Sequence, residues 1–354
     1  MIISQKQEQV RVLLLSHNFD PFIGGIEVTS EVLAKAFVKA GYEVRLMTWT
    51  PEPSSESYNF EIIRNPSLLQ VIKEHKWADL VFENNPCIRL AWPGIFIKRP
   101  SVVVLHTWIS RSNGKIGIRD RIKRKWWLDR AQKVIAVSSA LKEKSYKDAL
   151  MLGNFYRENQ FRIIEGIPRD KSYVFLGRLV RDKGTELAIR AIYELKKKHS
   201  KTLLAEPNLT LIGDGPERGN LEALVQELDL QEQVRFLGKL SGQKLVECLN
   251  RFRFILVPSI WEEPFGLVAL EGMACGCIPI VSEGGGLPEA IGNAGVTFKK
   301  GKLQSLVTSM KQLAEDPEKE ATMRILATEH LKKFKSEQIT KRYLQEVESA
   351  LIQL

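Results

Sequence analysis

The chain has 354 residues, 44% hydrophobic and 27% charged, which is long enough for two domains of ordinary size and too apolar for a largely disordered chain. With 52 Lys and Arg against 42 Asp and Glu, its formal net charge is +10, which suits an acidic partner such as nucleic acid, anionic lipid or a phosphorylated substrate. Four cysteines, Cys87, Cys248, Cys275 and Cys277, are too few and too scattered for a disulfide framework, and the Cys275/Cys277 pair has no second pair or nearby histidine to complete a metal site.

The opening stretch MIISQKQEQVRVLLLS lacks a charged region followed by a long apolar core. No uninterrupted apolar run approaches the roughly 18 residues that span a bilayer, so a cytoplasmic protein is expected. RVLLLS (11–16) reads as a buried strand, and GGIEVTSEVLAKAFVKAG has apolar residues at helical spacing, closing at Gly41. YEVRLMTW, WADLVFE, SVVVLHTW and KVIAVSS read as further strands, with helical stretches between them such as GIRDRIKRKWWLDRA. Ser138, after the strand KVIAV, suits a helix N-cap. Strand and helix in alternation imply a parallel sheet covered on both faces.

The pattern breaks in NFYRENQFRIIEGIPRDKS, which is polar and contains Gly166 and Pro168. A second series then begins: YVFLGRL, a helix over GTELAIRAIYELKKK, NLTLIGDGP, QVRFLG, RFILVPS and CIPIVSE. The expected organisation is therefore a doubly wound α/β domain over residues 1–155, a connection over 156–170, a second such domain over 171–335, and a terminal helix over 336–354. That helix carries Ile339, Tyr343, Leu344, Val347, Leu351 and Ile352 on one side and is expected to pack on the first domain. Ligands bind outside the carboxyl ends of the strands in such sheets, so two facing domains would line a cleft with their loops.

Two segments carry chemistry. GRLVRDKG (177–184) sets Arg178 just after a strand and Lys183 at a helix start, a fork and a point charge suited to one diphosphate. In WEEPFGLVALEGMACG, Pro264 suits a first helical turn, which would leave the amides of Phe265, Gly266 and Leu267 free for phosphate. Glu263 would then lie at the helix mouth and Glu271 on the order of 8–12 Å deeper along the axis. The plainer alternatives are a solvated basic loop, a helix-start acid complementing the macrodipole, and a core-paired Glu271.

Taken in order, GGIE (24–27), GRLVRDKG, GDGP (213–216), EPFGLVALE and GGLPEA (285–290) resemble the retaining glycosyltransferases of family 4, with two Rossmann-like domains of the GT-B type. The resemblance runs from about Val12 to the last helix. It implies a hexosyltransferase with an acceptor-side first domain and a nucleotide-sugar-binding second domain. Arg178 and Lys183 would hold the donor diphosphate, Glu263 the transferred sugar and Glu271 the ribose. Gly24 and Gly25 would admit the donor phosphate or the acceptor, or simply make a tight turn. Gly213 and Gly215 would leave room for the base, with Asp214 a turn residue. His106, at the end of a strand, matches a position that in the family often touches the donor sugar; a local structural hydrogen bond is the alternative. NFYRENQ departs from the family's more frequent Asn-Gly turn, which leaves the contacts there open.

No Asp-x-Asp pair occurs, so a metal-independent transfer without cofactor is expected, and the resemblance implies a front-face course with a glycan or lipid-linked acceptor. Arg121, Lys123, Arg124 and Lys125 beside Trp126 and Trp127 suit peripheral contact with an anionic membrane on its inner face; the alternative is a basic solvated helix face with a buried tryptophan. A nucleotide-sugar epimerase or phosphorylase would share the architecture, and a catalytically silent membrane or partner-binding protein would share the charge. Nucleic acid is not expected as a partner, because no recognised binding module or aromatic-basic repeat is present.

Overall fold

The computed structural model describes residues 9–22, 24–51, 57–109, 118–198 and 207–352. The chain divides into two compact units, Met1–Gly153 with Ser336–Leu354, and Asn154–Lys335.

The first unit contains β1 (Arg11–Leu15), β2 (Glu43–Thr48), β3 (Glu61–Arg64), β4 (Leu80–Asn84), β5 (Ser101–Leu105), β6 (Lys133–Ala136) and β7 (Leu150–Met151). They form one parallel sheet in the order β3-β2-β1-β4-β5-β6-β7. α1 (Gly25–Lys39), α2 (Leu68–Trp77), α3 (Ile88–Ala91), α4 (Ile118–Asp129) and α5 (Ser139–Ser145) connect these strands. β4 and β5 are buried along their whole length, as expected of central strands in a sheet covered on both faces: β5 is a β-branched run, while β4 ends in the buried polar residues Glu83 and Asn84. α1 buries Leu33, Ala34 and Phe37, and the Phe37 ring meets Phe82 of β4 at 5.2 Å between centroids. Ser138 caps α5, its side chain accepting from Leu141 N at 3.1 Å.

The second unit contains β8 (Lys171–Leu176), β9 (Leu209–Ile212), β10 (Val234–Gly238), β11 (Phe252–Val257), β12 (Ile278–Ser282) and β13 (Val296–Phe298), again all parallel, in the order β10-β9-β8-β11-β12-β13. Its helices are α6 (Thr185–Lys198), α7 (Arg218–Glu227), α8 (Gly242–Leu249), α9 (Leu267–Ala274), α10 (Leu287–Ile291), α11 (Leu303–Ala314) and α12 (Pro317–Lys332). Tyr173 of β8 stacks on Phe254 of β11 at 5.3 Å within a core that also takes in Leu256, Ile280 and Met310. Residues 156–170, expected as a connection, pack within this unit: Tyr156 and Phe161 are buried, and Asn250 bonds both Ile164 N (2.9 Å) and Arg162 O (3.0 Å).

The final helix, α13 (Ser336–Ile352), returns to the first unit. It buries Ile339, Tyr343, Val347 and Ala350, and Arg342 Nη1 donates to Leu152 O at 2.8 Å. Ile352, read from the sequence as part of the apolar face, is 83% exposed, because the buried stripe ends two residues earlier at Ala350.

Both sheets reverse strand order once, between β1 and β4 and between β8 and β11. These topological switch points are where an open α/β sheet offers a ligand crevice.

Candidate active site

The switch point of the second unit is built from the loop after β8, which carries Arg178 and Lys183, and the loop after β11, which carries Glu263. Ile260 N and Trp261 N both donate to Asp182 O, at 3.0 and 3.2 Å, and so tie the two loops together. That closeness brings Lys183 Nζ to 2.6 Å from Glu263 Oε1. The same oxygen accepts the hydroxyl of Ser259 at 2.6 Å, a residue the sequence reading did not single out. From the GGLPEA segment, Gly286 N donates to Glu263 O at 2.8 Å, so backbone and side chain of this glutamate are both held. Arg178, on the same loop as Lys183, is exposed and makes no ion pair with any described residue.

α9 begins at Leu267, three residues later than Pro264 suggests. Gly266 is its N-cap at φ +126°, and a Cβ there would fall 2.6 Å from Leu287 Cδ2. Only glycine fits both the dihedral and the space. Phe265 precedes the helix and is buried, its ring 5.6 Å from Phe334, so it anchors the loop rather than opening a helix. The first-turn amides are accordingly those of Leu267, Val268 and Ala269, of which Ala269 N donates to Gly266 O at 3.0 Å. Deeper in α9, burial pushes the Glu271 carboxyl up to about 7, against the opposing field of Arg157. Gly213 and Gly215 hold the GDGP turn against the loop after β8: a Cβ would fall 1.8 Å from Gly177 O at Gly213 and 2.4 Å from Leu179 O at Gly215. This main chain leaves no room for a side chain at either position.

In the first unit, His106 follows β5 and is buried. Its Nε2 lies 2.7 Å from Asn84 Oδ1, while Asn84 Nδ2 donates to Ser30 Oγ (2.7 Å) and Ile26 O (3.0 Å). With the amide so oriented, Nε2 carries the ring proton and Nδ1 keeps its lone pair. Burial pushes the imidazole down to about 3, so it is neutral at physiological pH.

The model of the glycosyl transferases group 1 matches residues 157–330, and that of Glycosyltransferase Family 4 matches residues 23–147. The chain belongs to the group 1, family 4 glycosyltransferases. An uncharacterized glycosyltransferase of Methanocaldococcus jannaschii is 38% identical over 132 residues, 37% of this chain and 32% of that protein. The D-inositol 3-phosphate glycosyltransferase of Corynebacterium jeikeium is 34% identical over 177 residues, 48% of this chain and 41% of that protein. The chain thus spans well under half the length of these two relatives. Among solved structures, sucrose-phosphate synthase from Thermosynechococcus elongatus superposes with a TM-score of 0.80 at 21% identity, over 98% of this chain and 100% of that one. The Anabaena protein HepE in complex with UDP-glucose superposes with a TM-score of 0.77 at 19% identity, over 96% and 100%. Both share the two-domain Rossmann-like fold.

For a family 4 glycosyltransferase the remaining expected site residues fall as follows. Gly24 is the N-cap of α1 in an extended conformation (φ −155°), and Gly25 opens that helix. Neither takes a left-handed dihedral, so an unusual turn is not what selects glycine there. In α4, the side chains of Arg121, Lys123 and Arg124 lie outside the described residues. Lys125 is exposed and Trp126 is 54% exposed. Trp127, expected at a membrane surface, is instead buried: its Nε1 donates to the buried Glu83 Oε2 at 3.1 Å and the Arg130 guanidinium covers its ring at 3.6 Å. Arg130 Nη2 also donates to Glu83 Oε1 at 2.8 Å, so the indole belongs to a buried charge cluster. Among the described residues no helix is long and apolar enough to cross a membrane.

Proposed function

We propose that this protein is a retaining glycosyltransferase that moves a hexosyl group from a nucleoside-diphosphate sugar to a glycan or lipid-linked acceptor. The observation that carries the reading is the Lys183–Glu263 pair at the switch point of the second unit, on whose β8 loop Arg178 is exposed and makes no ion pair with any described residue. Two cations on one loop, one of them held to a carboxylate, suit the two ends of a sugar diphosphate.

In this reading Arg178 and Lys183 grip the diphosphate, assisted by the amides of Leu267 and Val268 at the start of α9. Lys183 exchanges its carboxylate partner for a phosphate oxygen. Glu263 then faces the transferred sugar and Glu271 accepts from the ribose hydroxyls. Departure of the nucleoside diphosphate leaves an oxocarbenium-like sugar, whose positive charge the Glu263 carboxylate stabilises. The acceptor hydroxyl attacks from the face the diphosphate leaves, which retains the anomeric configuration. Neutral His106 offers Nδ1 as acceptor for a sugar hydroxyl. Charge neutralisation is assigned to Arg178, Lys183 and the amides, without a metal. Lys125 and Trp126 of α4 are assigned to contact with an anionic membrane surface on the cytoplasmic side.

The test is a thermal-shift series with UDP-, GDP- and ADP-glucose against the native chain and Arg178→Ala, with and without a chelator. A ligand that binds only the folded chain raises apparent stability by about 2.7 kcal/mol at a hundredfold excess over its dissociation constant. The reading requires a shift with one donor that survives chelation and disappears in the variant. No shift with any of the three sinks it.

A further inference from the structure

Ser259 follows Pro258 at the end of β11 and is fully buried, yet its hydroxyl spends its one proton on a functional carboxylate, Glu263 Oε1 at 2.6 Å. Its own carbonyl is fixed in turn: Ser282 Oγ, buried at the end of β12, donates to Ser259 O at 2.7 Å. The hydroxyl is therefore aimed by the ends of two adjacent central strands.

Two donors converge on Oε1 in the free protein, Lys183 Nζ and Ser259 Oγ. If Lys183 turns to a diphosphate when the donor binds, one of the two is lost at the moment Glu263 has to hold its place. The Ser259 side chain is short and fully buried, so unlike the long Lys183 side chain it cannot reach out to the ligand, and it remains. We propose that Ser259 is a positioning residue for Glu263, the donor that keeps this carboxylate aimed and satisfied after Lys183 has moved to the nucleotide. The inference rests on the reading of Glu263 as the group that faces the transferred sugar.

The test compares native chain, Ser259→Ala, Ser259→Cys, Glu263→Gln and the double variant Ser259→Ala/Glu263→Gln. The readout is release of nucleoside diphosphate from UDP-, GDP- or ADP-glucose with water as acceptor. Cysteine keeps the volume and loses the strong donor, which guards against a result that only reports packing. Losing one hydrogen bond to a charged group costs a factor of about 10 to 100. Both Ser259 variants should lower kcat by that factor while leaving KM for the sugar nucleotide within about twofold. In the Glu263→Gln background, Ser259→Ala should change kcat by less than about twofold, because residues acting through one group are not additive. Unchanged kcat in Ser259→Ala, a second full loss in the double variant, or an equal rise in KM overturns the role of Ser259 alone. Native turnover in Glu263→Gln, or no release by the native chain from any of the three sugar nucleotides, overturns the functional reading and this inference with it.

Discussion

Lys183 Nζ and Glu263 Oε1 lie 2.6 Å apart although 80 positions separate them in the chain, and both side chains keep some contact with solvent, at 27% and 13% exposure. A partly exposed pair of this kind contributes about 1 kcal/mol or less to stability. Lys183→Met should therefore unfold within a few degrees of the native chain while losing the thermal response to nucleoside diphosphate. Glu263→Gln should retain that response and lose turnover. Loss of nucleotide binding in Glu263→Gln equal to that in Lys183→Met would show that the two residues form a single structural unit instead.

Glu271 gives a pH dependence. Burial holds its carboxyl proton to about 7, above the ordinary carboxylate value of 4.5. Between those values the folded chain binds more protons than the unfolded one, so stability falls as pH rises through this window and is flat above it. Glu271→Gln should remove that fall, making the variant the more stable protein at pH 8 by a few kcal/mol and leaving the two nearly equal at pH 4. The charged form is also the one that accepts from a ribose diol. The preference for a ribonucleoside diphosphate over its 2′-deoxy analogue, measured by calorimetry so that phosphate ionisation cancels, should grow as pH rises through about 7.

Much of this site is legible in the sequence because it sits on loops directly after strongly apolar strands. YVFL and RFILV mark β8 and β11 as buried runs, and their following loops carry Arg178, Lys183 and Glu263. What is not legible depends on distant partners. The start of α9 is not legible because the N1 preference of Pro264 competes with the cap at Gly266, whose positive φ and close approach to Leu287 depend on residues 21 positions away. β3, β7 and β13 are short strands at sheet edges, EIIR, LM and VTF, with too few residues to show a period. Trp126 and Trp127 look alike in sequence, but neighbours on a helix point about 100° apart, and only Glu83, 44 positions away, decides which one turns inward.

Gly213 offers a test of loop packing. Its φ is +138° and a Cβ would overlap Gly177 O at 1.8 Å, so Gly213→Ala must displace the main chain that leads to Arg178. The expected cost is about 2–4 kcal/mol, with weaker nucleotide binding in whatever remains folded. Gly219, near the start of α7, is the control: a Cβ there meets nothing within 4 Å, so Gly219→Ala should be stabilising by about 0.5–1 kcal/mol. Equal effects in urea titrations of the two variants would refute the packing argument.

The two tryptophans of α4 separate stability from membrane contact. Trp127 is 3% exposed and supplies one of the donors to the buried Glu83, so Trp127→Phe should cost about 1–3 kcal/mol through an under-satisfied carboxylate, and Trp127→Ala about 3–5 kcal/mol through the added cavity. Trp126, 54% exposed, should change stability by less than about 0.5 kcal/mol when replaced by Ala. If α4 meets an anionic surface, the order reverses in flotation with phosphatidylserine-containing vesicles: Trp126→Ala and Lys125→Ala lower the bound fraction, and Trp127→Phe leaves it unchanged. Binding that is indifferent to Trp126, Lys125 and lipid charge would rule out this helix as the contact and leave its basic face simply solvated.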